Sequence, residues 1–130
     1  VEIINSVSPA LVVPGDPDRL VQILVNLIRN ARDALTERRE TPGARVEILA
    51  SALHRDGRDW VSLAVRDNGP GIDPALLPRL FEPFASTRLD SKGTGLGLAV
   101  AEGIAREHGG VLLARNLPGN FDELLSLERN

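Results

Sequence analysis

Two glycine-rich runs constrain this chain more than any other feature. The first is Asp67-Asn68-Gly69-Pro70-Gly71-Ile72 and the second is Gly93-Thr94-Gly95-Leu96-Gly97-Leu98. Glycine lets the backbone approach a ligand closely, because no Cβ stands in the way. The first run opens with a carboxylate, which accepts a hydrogen bond from an exocyclic amine. The second leads into an apolar helical pattern, so its unpaired N–H groups and the positive end of the helix dipole point at an anion such as phosphate. Together they suit a purine nucleotide held at both ends. The second run is neither a dinucleotide fingerprint, since it follows a loop rather than a strand, nor a P-loop, since no Gly-Lys-Ser/Thr stands at the required spacing.

The rest of the pattern predicts the scaffold around these runs. Residues 1–4 and 11–13 read as short β-type segments, broken by Ser8-Pro9 and Pro14-Gly15. A helix starts near Asp16-Pro17-Asp18, where Asp can cap and Pro suits the first turn. Leu20, Ile23, Leu24, Leu27, Ile28, Ala31 and Leu35 then recur at helical steps and form one apolar face. Residues 46–53 and 60–65 read as strands joined through Asp56-Gly57, a hairpin signal. Asp73-Pro74 restarts a short helix, and residues 84–94 read as a mobile loop. Leu96, Ala99, Val100, Gly103 and Ile104 suggest a second helical face, closed by Gly109-Gly110 and followed by a strand at 111–114. The expected fold class is α+β, a two-layer sandwich with one mixed, mostly antiparallel sheet covered by helices on one face.

At 130 residues the chain is one domain by length, 1–130, and can bury a core without staples. A net charge of −3 gives no electrostatic reason to expect nucleic acid or an acidic membrane surface as partner. With no Cys, thiol nucleophiles, disulfides and Cys-ligated metals are excluded. No apolar run reaches the ~18 residues of a membrane-spanning helix. The chain has no Met and opens on Val1-Glu2-Ile3-Ile4, which reads as the inside of a strand, so it is expected to be an excised piece of a longer protein.

The first helix carries a second stripe. Gln22, Asn26, Asn30 and Asp33 share a face beside the apolar one. Asn is a poor helix former, so two of them one turn apart are unusual. An amide oxygen suits a hard cation such as Mg²⁺, which keeps several waters and shares phosphate oxygens. The competing reading is a solvated polar stripe.

The order and spacing of these motifs resemble the catalytic domain of sensor histidine kinases. Asn26-Leu27-Ile28-Arg29-Asn30-Ala31 looks like its N box. Asp67 to Ile72 looks like the first glycine box, Leu80-Phe81-Glu82-Pro83-Phe84 like the F box, and Gly93 to Leu98 like the second glycine box. The resemblance covers about 1–114 and extends to the wider Bergerat-fold ATPases: gyrase, the Hsp90 chaperones and the MutL proteins. Phe84-Ala85-Ser86-Thr87-Arg88 resembles the lid of nitrogen-regulation-type sensor kinases.

That resemblance implies a cofactor, ATP with Mg²⁺, and a role for each matching residue. Asp67 would hold the adenine amino group, supported by Thr94. Asn30 would ligate Mg²⁺, with Asn26 beside it near the phosphates. Gly69 and Gly71 would shape the adenine pocket, and Ile72, Phe84 and Thr87 would join the nucleotide-binding set. Gly95, Leu96 and Gly97 would present backbone N–H groups to the phosphates. Phe81 and Phe84 would anchor the lid, although Phe near Pro is as often plain core. Arg88 would fork onto the γ-phosphate, against the alternative of a solvated loop charge, and Lys92 is a weaker candidate. Asn26, Asn30 and Arg88 are thus the expected catalytic residues.

The chain also departs from the family. Asp33 stands where many members carry Lys, and Pro118-Gly119-Asn120-Phe121-Asp122-Glu123 dilutes the usual Gly-Thr-x-Phe strand, so the last strand is expected to be shortened, irregular or disordered. Histidine kinases phosphorylate a His on a separate dimerisation domain. His54 and His108 lack that sequence context and are expected to be surface residues. The implied partners are therefore a phosphoacceptor His domain of the same protein and, downstream, a response-regulator receiver domain. The chain itself is expected to be monomeric, to make no direct membrane contact and to lie on the cytoplasmic side, where ATP is. Two other readings stay open. One is a gyrase- or Hsp90-like hydrolase, disfavoured because an amide at Asn26 cannot take a proton. The other is an inactive nucleotide-binding interaction module.

Overall fold

The computed structural model of the chain describes residues 2–36, 43–69, 71–82, 97–117 and 120–128. They form a five-stranded sheet with two α-helices. The strands are β1 (Glu2–Ser6), β2 (Arg45–Arg55), β3 (Arg58–Asp67), β4 (Val111–Leu117) and β5 (Asn120–Glu128), and the helices are α1 (Pro17–Thr36) and α2 (Gly97–Glu107). The sheet order is β1-β2-β3-β5-β4. β1 pairs parallel with β2, and every other pair is antiparallel. This is the mixed, mostly antiparallel sheet expected from the sequence.

Each element follows from local chemistry. Asp16 caps α1 by accepting the Asp18 N–H on Oδ1 at 3.0 Å, while its carbonyl accepts the Leu20 N–H at 3.0 Å. The β2–β3 hairpin turns at Asp56 and Gly57 with φ of 54° and 75°, the mirror-image turn that matches the twist of the strands. α2 ends in a Schellman motif. Gly109 takes φ 68°, its N–H donates to the Arg106 carbonyl at 3.0 Å, and the Gly110 N–H donates to the Ala105 carbonyl at 2.8 Å.

The core lies between the helices and one face of the sheet. From α1 it takes Ile23, Leu27, Ala31 and Leu35, all buried, with Leu20, Leu24 and Ile28 packed beside them. The sheet contributes Val46, Val65 and Leu112. Burying each Leu or Ile contributes roughly 1.5–3 kcal/mol. A bidentate ion pair, Arg19 Nη2 to both Glu107 carboxylate oxygens at 2.8 and 2.9 Å, ties the start of α1 to the end of α2. Both side chains are largely exposed, so water screens it.

Four expectations are corrected. Residues 11–13 are not a strand; the Leu11 N–H turns back onto the Ser8 carbonyl at 3.2 Å, between Pro9 and Pro14. After Asp73 the chain makes a turn and then a single 3-10 turn at Leu77–Arg79, because Pro78 lacks the N–H that an α-helix needs there. The face that α2 buries is Leu98, Ala101, Ile104 and Ala105, not the one read through Ala99, Val100 and Gly103; Val100 is 40% exposed and Gly103 is exposed. The last strand is neither shortened nor absent. β5 runs for nine residues through the sheet interior, paired with both β3 and β4.

Candidate functional site

Alternation along β3 sends Val61, Leu63, Val65 and Asp67 to the same, core-facing side. Asp67 therefore ends the strand with its carboxylate inside the protein, 1% exposed, the only buried polar side chain among the described residues. Burying a carboxylate is costly without hydrogen bonds. Its Oδ1 accepts the Gly69 N–H at 2.8 Å, an Asx turn that starts the first glycine run.

The glycines of this turn are required by their surroundings. A Cβ on Gly69 would stand 2.9 Å from Asp67 Oδ1 and 3.3 Å from Leu35 Cδ2. Gly71 has φ 80°, and a Cβ there would stand 2.7 Å from Asn116 Oδ1. Asn116 in turn holds the backbone of Ile72 at both polar groups. Its Oδ1 accepts the Ile72 N–H at 2.9 Å, and its Nδ2 donates to the Ile72 carbonyl at 2.6 Å. Asn68 works on the other side of the turn. Its Oδ1 accepts the Arg45 N–H at 2.9 Å and its Nδ2 donates to the Gly43 carbonyl at 2.8 Å, which fixes the turn against the start of β2.

On the asparagine stripe of α1, Asn26 meets Gly97, which begins α2. Asn26 and Asn30 are half-buried, while Gln22 is exposed. Asn26 Nδ2 donates to the carbonyl of Gly97, the first residue of α2, at 3.1 Å. A Cβ on Gly97 would meet Asn26 only at 3.9 Å, so this asparagine leaves room there. α1 is thus a common wall, with Leu35 beside the first glycine turn and Asn26 beside the second run. The two lie about 14 Å apart along the helix axis at ~1.5 Å per residue, a span suited to a base at one end and phosphates at the other.

Of the expected site residues, Asp67, Gly69, Gly71 and Ile72 come together on one turn, and Asn26 and Gly97 are in contact. Asn30 lies one turn further along α1. Phe84, Thr87, Arg88, Lys92, Thr94, Gly95 and Leu96 fall outside the described residues. Phe81 is half-buried and packs against the core. Among the described residues no group of three His, Cys, Asp or Glu side chains could cage a metal. His54 is exposed and pairs with Asp59 at 2.8 Å, as expected of a surface residue. His108 is not one: it is half-buried, with Nδ1 donating to the Ile104 carbonyl at 2.8 Å and Nε2 accepting the Asp16 N–H at 3.1 Å.

The reading from sequence missed Asn68 and Asn116. Asn116 carried a signal, since Asn is depleted in strands and sits in phase with the inward Leu112 and Ala114.

The histidine kinase-, DNA gyrase B- and HSP90-like ATPase family matches residues 15–123. The chain belongs to this family. It is 47% identical over 106 residues to the two-component sensor PprA of Pseudomonas aeruginosa, a match covering 82% of this chain and 11% of PprA. The catalytic domain of histidine kinase ThkA superimposes with a TM-score of 0.81 at 25% identity, covering 98% of this chain and 78% of that one. Full-length ShkA, solved in complex with AMPPNP, matches with a TM-score of 0.75 at 33% identity, covering 97% of this chain and 25% of ShkA. The fold is therefore the Bergerat fold, and the chain corresponds to the catalytic ATPase domain of sensor histidine kinases. It spans about a tenth of the length of PprA. Among the described residues no helix is long and apolar enough to cross a membrane.

Proposed function

We propose that residues 1–130 bind Mg-ATP and present its γ-phosphoryl group to a His on a separate dimerisation domain of the same two-component sensor kinase. The observation that carries this reading is the buried carboxylate of Asp67, set under a turn whose glycines at 69 and 71 leave no room for side chains. Such a carboxylate reads the adenine amino group, and the bare backbone lets the ring approach. Midway along α1, the Asn26–Gly97 contact sets the start of α2, whose N–H groups favour phosphate. ShkA, similar along nearly this whole chain, was solved with an ATP analogue.

In this reading Asn30 ligates the nucleotide's Mg²⁺ and Asn26 stands beside the phosphates. Thr94 supports the base, Gly95 and Leu96 extend the phosphate-facing N–H groups, and Phe84, Thr87 and Arg88 belong to the lid. Arg88 meets the γ-phosphate. Transfer breaks the bond from the γ-phosphorus to the β,γ-bridging oxygen and forms a phosphorus–nitrogen bond on the acceptor imidazole, releasing ADP. Positioning and charge stabilisation supply most of such catalysis. The acceptor domain and a downstream receiver domain are the partners, and the site works on the cytoplasmic side. Hydrolysis of the gyrase or Hsp90 kind is disfavoured by one contact. Asn26 supplies an amide that donates to Gly97, not a carboxylate that could activate water.

The test is calorimetric titration of Mg-ATP into this chain and into Asp67→Asn, followed by mixing the chain with its separately prepared dimerisation domain. Binding that the substitution weakens by ~1–3 kcal/mol, together with acid-labile phosphate on the acceptor, supports the reading. Binding that Asp67→Asn leaves unchanged, or an acceptor that stays unlabelled, would overturn it.

A further inference from the structure

We propose that Asn116, on β4, is a positioning residue that sets the selectivity of the site for adenine. The inference rests on the ATP reading above and extends it to a residue outside the glycine boxes. The Ile72 backbone lies in neither a helix nor a strand, yet both of its polar groups are paired, and both pairs end on one side chain. Asn116 stands 44 residues further along the chain and offers the two-point pairing that a neighbouring strand would normally give. The donor reaches the carbonyl at 2.6 Å and the acceptor meets the N–H at 2.9 Å. Gly71 lies so close to the same amide that a Cβ would approach its oxygen to 2.7 Å.

The first glycine turn is thus attached at its start by Asp67, through Gly69, and at its end by Asn116, through Ile72. Selectivity needs both points. Asp67 accepts a hydrogen bond from the amine of adenine and repels the carbonyl oxygen that guanine carries at the corresponding position. That discrimination holds only if the base is kept in register with the carboxylate. The backbone of Gly69, Gly71 and Ile72 forms the wall that keeps it there, and Asn116 fixes the far end of that wall. Without it, the turn can shift and a guanine can slide away from Asp67. The phosphate end, at Asn26 and Gly97, does not touch Asn116 and should be indifferent to it.

Asn116 is itself exposed, so truncating it leaves no core cavity. Asn116→Ala removes both hydrogen bonds. Asn116→Asp keeps the shape and the acceptor for the Ile72 N–H, but sets an oxygen against the Ile72 carbonyl. Binding of ATP, GTP and inorganic tripolyphosphate, each with Mg²⁺, is measured for the unmodified chain and both variants, alongside urea denaturation. In both variants ATP binding falls about tenfold, as expected for roughly 1.4 kcal/mol of lost hydrogen bonding. GTP binding falls less, so the ATP-to-GTP ratio narrows, and tripolyphosphate binding stays within twofold. A ratio unchanged in both variants overturns the proposal, even if their stability drops, because Asn116 then only props the fold. Equal loss for all three ligands also overturns it. Failure of the unmodified chain to bind ATP sinks the underlying ATP reading instead, so the two failures are distinguishable.

Discussion

Asn26 and Gly97 are joined by a hydrogen bond of 3.1 Å from the side-chain amide of one to the main-chain carbonyl of the other. One residue lies within α1 and the other begins α2, so the contact fixes where the second helix starts relative to the first. In the ATP reading it aligns the phosphate-facing N–H groups with the asparagine stripe.

Replacing Asn26 by Ala removes this donor without filling the space. We expect Mg-ATP affinity to fall by about 1 kcal/mol, the usual net worth of one hydrogen bond. The rate of phosphoryl transfer should fall further, because misplacement of reacting groups is costly beyond binding. Calorimetry gives the first quantity and single-turnover transfer to the acceptor domain gives the second. Equal losses in both would mean that Asn26 serves binding alone.

The two glycines of the first turn should respond differently to Ala. At Gly69 the new Cβ would crowd Asp67 Oδ1 at 2.9 Å, with no unfavourable φ to add. The carboxylate must then swing away, so ATP binding should drop by tenfold or more with only a small change in the denaturation midpoint. At Gly71 the φ of 80° costs ~1 kcal/mol or more in addition to the 2.7 Å collision with Asn116. Gly71→Ala should lose both affinity and stability. Urea titration at constant m-value, beside ATP titration, separates the two cases.

The first glycine turn and the core face of α1 are legible in the sequence because glycine and the α1 periodicity report backbone demands directly. Ile23, Leu27, Ala31 and Leu35 could be read off as the core face, and all are buried. The α2 face was misread because Ala99, Ala101 and Ala105 give no contrast of size by which to set the helical phase. Only packing against α1 and β4 decides it. β5 was doubted because its start at Asn120-Phe121-Asp122 departs from the family pattern, yet long ladders on both sides supply its pairing. Asn116 and His108 act through tertiary partners, Ile72 and Asp16, and no local pattern announces such pairs.

Gly109 offers a test of the scaffold apart from the site. Its φ is 68° and open space surrounds the position of a Cβ, so Ala there meets only the conformational cost of the left-handed region. Gly109→Ala should destabilise the chain by about 1 kcal/mol and leave ATP affinity within twofold. A larger loss, or a change in binding, would show that the end of α2 is coupled to the nucleotide site.

His108 should not serve as a phosphoacceptor. Attack on phosphorus needs a ring nitrogen with a free lone pair. Here Nδ1 carries its proton toward the Ile104 carbonyl, and the Nε2 lone pair accepts the Asp16 N–H at 3.1 Å. These two partners call for the tautomer with its proton on Nδ1. The ring also lies against Gly15, where a Cβ would come within 2.7 Å of it. The isolated chain incubated with γ-labelled ATP should therefore acquire no acid-labile label. His108→Ala should change only stability, by about 1 kcal/mol, through loss of the pairing that holds the start of α1. Acid-labile label on the unmodified chain that disappears in His108→Ala would mean that the ring leaves this pocket and that the domain carries an acceptor of its own.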